Sequence, residues 1–228
     1  AGSSQSLPRP SSVAVIDPAS EAIMTANGLE PSAIVKVEAL RYLSSTATTS
    51  FAPSKRTGIF AKQRILVLGE YGSLMCARQL QLIEELVPLT KNSWEFMFRP
   101  HPSNPILQGS LPVGVSLSER LRVGDDLAEC DVAFCSNLSS ASLDASLMGI
   151  PILMFRDGRG FNGSPLNDGP SVKYVNDVTG MAEALENFSV DGEPRSRTQI
   201  YPFFLGHDLE RWRALLASFS RNGSEQTQ

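Results

Sequence analysis

The sequence predicts an α/β protein with a doubly wound, mostly parallel sheet. Three observations carry that prediction. First, from Ile65 onward short apolar runs of strand length alternate with stretches of helical period. Second, residues 131–155 read as strand, serine-rich turn, helix, strand, and two strands joined by a helix of that length need a crossover and so run parallel. Third, four segments of unusual composition each follow a different strand: Gly69–Gly72, Arg99–Pro102, Ser136–Ser140 and Arg156–Asn162. A doubly wound sheet sets all carboxyl strand ends along one edge, where ligands bind.

The elements follow in chain order. Residues 1–12 read as a flexible leader, and the lack of an initiator Met implies a chain cut from a longer one. Val13–Ile16 is β-like. Asp17 then serves as N-cap with Pro18 at the first helical position, and Asn27-Gly28 closes that helix. Ile34–Val37 is a second strand, running into Glu38–Leu43. Residues 44–57 are rich in Ser, Thr and Pro without apolar period and read as a linker. The stretch 13–43 is short for a domain with its own core and reads as the tail of a preceding domain.

Beyond the linker, Ile65–Leu68 is a strand, and a helix over Ser73–Leu89 turns Leu74, Leu80, Ile83 and Val87 inward. Trp94–Phe98 is the next strand and Val113–Leu117 a weaker one. Asp125–Glu129 starts a short helix. Val132–Cys135 precedes the polar turn. Leu138, Ala141, Ala145 and Met148 then give one apolar helical face, stopped by Gly149 and Pro151. Ile152–Phe155 is a strand, Arg156–Pro170 a loop, Val172–Val175 the last strand and Val178–Phe188 a helix. Val190–Thr198 is a polar loop, and Leu209–Phe219 is an amphipathic helix. The second domain is placed at 58–222, with a flexible tail at 223–228.

Composition bounds the function. Hydrophobic content of 42% supports an ordinary core, and a formal charge of −4 argues against a general nucleic-acid binder. Three cysteines in apolar contexts read as buried free thiols, and two histidines with no Cys/His spacing give no zinc site. No apolar run approaches the ~18 residues of a membrane span. Reduced thiols, no transmembrane segment and no signal peptide give a cytoplasmic expectation, with peripheral membrane association open.

Candidate ligand contacts come from the carboxyl-edge segments. Gly69 and Gly72 would let backbone approach a ligand, or merely shape a turn. Glu70 lies between them. Pro100 and Pro102 stiffen the backbone around His101, which suits a side chain aimed at a phosphate or base edge. Arg99 adds charge or snorkels at the strand end. Ser136, Asn137, Ser139 and Ser140 sit where a strand end meets a helix start, so they either meet an anion or cap the helix. His207 reads as a surface or capping residue.

His101-Pro102 after one strand, with the serine turn at 136–140 after a later one, resembles the HP and SS motifs of bacterial glycosyltransferases that use CMP-sugars. Those include sialyl-, polysialyl- and Kdo transferases. The surrounding Asp131–Pro151 stretch also resembles the nucleotide-binding half of two-domain, Rossmann-like (B-type, GT-B) glycosyltransferases generally, and residues 13–43, with Val37-Glu-Ala-Leu-Arg-Tyr42, resemble the end of the acceptor domain in a family of surface carbohydrate biosynthesis proteins. The resemblance implies that residues 13–43 end an acceptor domain, and that 58–222 is the C-terminal Rossmann-like, nucleotide-sugar-binding half. It implies that His101, Ser139 and Ser140 hold the donor's cytidine monophosphate. It further implies a nucleotide sugar and an oligosaccharide or lipid-linked glycan acceptor as partners; no nucleic acid, no cofactor and, with no metal cluster visible in the sequence, no metal is expected. The acidic general base that such enzymes carry in their N-terminal domain has no matching motif here, so the chain alone is expected to be inactive. The alternatives are a glycerophosphotransferase using CDP-glycerol, a UDP-sugar transferase of the same fold, and a non-catalytic nucleotide-binding scaffold.

Overall fold

The computed structural model describes residues 10–47, 62–90, 93–158, 162–190 and 203–225. The chain divides into two compact units, one of Ala1–Ala47 with Ile200–Gln228 and one of Thr48–Gln199.

In the first unit, β1 (Val13–Val15) pairs in parallel with β2 (Ile34–Lys36). Between them runs α1 (Pro18–Ala26). Asp17 caps it by accepting the Ser20 N–H at 2.7 Å, Pro18 opens it, and Gly28 closes it at φ 83°. The next helix, α2 (Leu40–Ala47), carries the chain through residues 44–47, where a linker was expected. The rest of that linker lies outside the described residues, as do residues 1–9 of the leader.

The second unit holds six parallel strands. They are β3 (Gln63–Leu68), β4 (Trp94–Arg99), β5 (Val115–Leu117), β6 (Val132–Ser136), β7 (Ile152–Phe155) and β8 (Val172–Val175), in spatial order β5-β4-β3-β6-β7-β8. Counted from the first strand of this unit the order is 3-2-1-4-5-6, the dinucleotide-fold order whose switch point falls between β3 and β6. Successive strand residues serve opposite faces. Ile65, Val67, Phe98, Phe134 and Phe155 pack against α3 (Ser73–Leu86) and α6 (Val178–Val190). Leu66, Leu68, Ala133, Cys135 and Met154 pack against α4 (Val123–Leu127) and α5 (Ala141–Leu147). Both faces are covered, which is why these strands read as unbroken apolar runs rather than as alternations.

Leu74, Val113 and Leu138, apolar residues of the expected elements, lie exposed. Leu74 is 86% exposed. It precedes Ile83 by nine positions (83 − 74), roughly half a turn out of phase, and the inward face is instead made by Cys76, Gln79, Leu82, Ile83 and Leu86. Leu138 is exposed because α5 starts only at Ala141. Val113 is exposed because Gly114, at φ 87°, turns the chain before β5 begins.

The chain from Ile200 onward does not extend the second unit, as the boundary at 222 expects, but groups with Ala1–Ala47. There α7 (Glu210–Glu225) runs through residues 223–225 of the tail expected at 223–228. Its start is held by buried Glu38, whose carboxylate accepts the N–H groups of Arg211 and Trp212 at 3.0 and 3.1 Å. The Trp212 indole N–H donates to the Glu38 carbonyl at 2.8 Å. Burial raises the Glu38 pKa, but the backbone N–H bonds and the charge of Arg211 outweigh it and leave the net shift downward. Among the described residues no helix is long and apolar enough to cross a membrane.

Candidate functional site

The carboxyl ends of β3, β4, β6 and β7 share one edge, and buried Glu70 ties three of the four expected segments together there. The Glu70 side chain accepts the Tyr71 N–H at 2.9 Å and the Ser136 hydroxyl. The Glu70 carbonyl accepts the Asn104 amide at 3.2 Å, which brings in the His101 loop. The Glu70 N–H donates to Gln79 Oε1 at 3.0 Å, and the Gln79 amide reaches back to the Leu68 carbonyl at 3.2 Å. Gln79 is fully buried, so both ends of its amide are spent fixing the turn from β3 into α3.

The fourth segment joins through Asn137. Its amide donates to Asn162 Oδ1 at 3.4 Å, and the Asn162 amide donates to the Tyr174 hydroxyl at 3.3 Å. That hydroxyl in turn donates to the Leu166 carbonyl at 2.7 Å. Residues 159–161 of this loop lie outside the described residues.

His101 is half-buried, and its Nδ1 accepts the Ser103 N–H at 3.1 Å. An accepting Nδ1 places the neutral ring's proton on Nε2, which leaves Nε2–H as the donor. Pro102 is exposed within the tight turn that bridges His101 to Asn104. The Tyr71 ring lies edge-on to the His101 ring, with centroids 6.2 Å apart.

The serines divide. Ser136 is fully buried; its hydroxyl is given to Glu70, and its oxygen accepts the Leu138 N–H at 3.3 Å. Ser139 is half-buried and Ser140 exposed. Ser140 occupies the N-cap position of α5 with helical backbone angles and makes no side-chain cap. Helix capping therefore does not account for Ser140.

The two glycines also divide. A Cβ on Gly69 would stand 2.6 Å from Phe98 Cζ and 3.1 Å from the Arg99 carbonyl, so packing against β4 demands that glycine. Gly72 faces open space and, as N-cap of α3, offers no side chain to its first-turn N–H groups. Arg99 turns away from this network. Its guanidinium pairs with buried Asp126 at 2.5 Å and donates to the carbonyls of Arg120 and Leu121. Its work is to hold the loop after β5, and the fixed acceptors there explain why its charge goes to Asp126.

All three cysteines are buried free thiols. Burial and the charges of Asp131 and Asp126 push Cys130 up to about 12. Burial and the Glu70 charge raise Cys76 and Cys135 as well. None of the three supplies a thiolate nucleophile at neutral pH.

Neither Gln79 nor Asn104 is among the contacts the sequence predicts, and Asn162 is marked only as the end of the Arg156–Asn162 segment. A polar residue inside the apolar period of α3 was the available signal for Gln79. Asn104 and Asn162 carried none beyond their loops.

No protein-family profile matches the chain, and no curated protein does. Its fold is similar to that of Methanocaldococcus jannaschii UDP-GlcNAc 2-epimerase, solved in complex with UDP-GlcNAc and UDP. That match has a TM-score of 0.59 and 14% identity, covering 91% of this chain and 61% of the other. It is also similar to the wall teichoic acid polymerase TagF, at a TM-score of 0.50 and 14% identity, covering 95% and 59%. The chain thus spans about three fifths of the length of either protein. At this identity the likeness establishes the fold, a Rossmann-like α/β architecture of the GT-B kind.

Proposed function

We propose that the second unit is the donor-binding half of a glycosyltransferase, taking its sugar from a nucleotide-activated, preferentially CMP-linked donor. The observation that carries this reading is the junction of the His101 loop, the Gly69–Gly72 turn and the Ser136 turn through Glu70, beside the switch point between β3 and β6. The His-Pro and serine motifs favour the cytidine monophosphate. The UDP bound by the archaeal epimerase supports the wider class, a pyrimidine nucleotide.

In this reading His101 Nε2–H donates to a phosphoryl oxygen. The hydroxyls of Ser139 and Ser140 and the uncapped first turn of α3 supply further donors. As the glycosidic bond breaks, negative charge grows on the departing phosphate, and these fixed donors stabilise it. The acceptor hydroxyl is activated by a base from an acceptor half, of which residues 13–43 form part. The setting is the cytoplasmic assembly of surface polysaccharide or lipopolysaccharide on a glycan acceptor.

Calorimetric titration with CMP, CDP and UDP tests the reading. CMP is expected to bind most tightly. His101→Ala should weaken it by about ten- to a hundredfold, the worth of one hydrogen bond to a charged group. Absence of binding by all three nucleotides, or a His101→Ala protein that binds CMP normally, would refute it.

A further inference from the structure

We propose that Tyr71 is the stacking platform for the nucleobase of the bound nucleotide; this rests on the donor-binding reading above. Four observations support it. Tyr71 is 62% exposed, while every phenylalanine and tryptophan described in this unit is buried. A large ring left in water at a switch point calls for a ligand, because its apolar face gains by being covered.

The second observation is rigidity. The Tyr71 N–H is held by the Glu70 side chain at 2.9 Å, and Glu70 is itself held by Gln79, Asn104 and Ser136. The backbone that carries the ring is thus fixed, so only the side chain's own torsions remain to be ordered when a ligand lands on it. Third, Gly72 follows with open space where a side chain would be, so the next residue does not overhang the ring. Fourth, the ring meets His101 edge-on, at an interplanar angle of 64° and 6.2 Å between centroids. That geometry keeps a face of the Tyr71 ring available. It also sets a flat apolar surface beside the proposed phosphate donor, at a separation that a ribose can bridge. The Tyr174 hydroxyl, by contrast, is committed to Leu166 and Asn162, which makes that ring part of the loop scaffold.

The test uses the 228-residue chain, CMP as probe, and the variants Tyr71→Ala and Tyr71→Phe. Tyr71→Ala should weaken CMP by about ten- to a hundredfold, the usual worth of one base stacked on one ring. Tyr71→Phe, which keeps the ring, should stay within about twofold. The cytosine H5 and H6 proton resonances should shift upfield on binding to the unsubstituted chain and to Tyr71→Phe, and that shift should vanish with Tyr71→Ala. Melting temperatures of the variants should match the parent, because the side chain is exposed. CMP affinity unaffected by Tyr71→Ala overturns this proposal alone, as does an equal loss in Tyr71→Phe. A parent chain that binds no nucleotide overturns the donor-binding reading and this proposal with it.

Discussion

Replacing Gly69 by alanine should destabilise the second unit without a ligand being involved. The added Cβ would lie 2.6 Å from Phe98 Cζ, 3.3 Å from Phe98 Cε1 and 3.1 Å from the Arg99 carbonyl oxygen. Carbon atoms pack best at about 3.5–4.0 Å, so the ring would have to retreat by roughly 1 Å. It has nowhere to go, because Phe98 is fully buried within the core beneath α3 and α6. The turn cannot back away either, since the Gly69 N–H donates to the Arg99 carbonyl at 2.9 Å. Overpacking of this kind costs about 1–3 kcal/mol, and the lower entropy of an unfolded alanine returns about 0.4–1 kcal/mol. The net expectation is a loss of about 1–2 kcal/mol, read from urea unfolding followed by the fluorescence of Trp94, which lies in this unit. Gly72→Ala is the control. Gly72 sits at φ −82° with open space around it, so its replacement should stay within about 0.5 kcal/mol. Combining Gly69→Ala with Phe98→Leu should cost less than the two separate losses added together. A Gly69→Ala protein as stable as its parent, yet weakened for nucleotide, would refute the packing argument and return Gly69 to a ligand-contact role.

Two further outcomes follow from buried charge. Arg99→Ala strands the Asp126 carboxylate with Ser118 and the more distant Arg120, so it should cost about 3 kcal/mol in chemical denaturation while leaving CMP affinity unchanged. The Glu38 pKa is lowered in the folded state, so its contribution is fully present above the ordinary value of 4.5 and is lost as pH falls through the folded value. Acid titration of Trp212 fluorescence in a Trp94→Phe background should therefore show loosening of α7 below about pH 4.5. Glu38→Gln should remove that pH dependence, and an unchanged titration would show that another group drives it.

What the sequence made legible was whatever leaves a periodic or steric mark. Fully buried strands such as β6 and β7 announce themselves as apolar runs. Asp17-Pro18 and Asn27-Gly28 mark both ends of α1 by chemistry that needs no tertiary partner. The convergence of loops on one edge followed from topology alone. The division of labour within those loops was not legible, because it depends on which side chain another element reaches. Whether Gly69 faces a ligand or a phenylalanine is decided by β4, and the partner of Arg99 is decided by α4. The grouping of α7 with the first unit rests on Glu38, more than 170 positions from its partners, and no local pattern reports that.

The placement of Glu70 bears on which serines can serve an anion. A carboxylate beside a phosphate site is adverse, and its field is felt locally, since it raises the pKa of both Cys76 and Cys135. The proposed site can tolerate it only if the phosphate keeps away from Ser136. Ser136 is already unsuited, because it is fully buried with its hydroxyl proton committed to Glu70. Its oxygen, by accepting the Leu138 N–H, shapes the turn instead. Ser139 and Ser140 follow on the more open side of that turn, and the cap position leaves the Ser140 hydroxyl unspent. In the proposed site, then, Glu70 acts as a positioning group with a second effect. It holds the three loops together, and by taking the Ser136 hydroxyl it leaves Ser139 and Ser140 as the hydroxyls of that turn open to an anion.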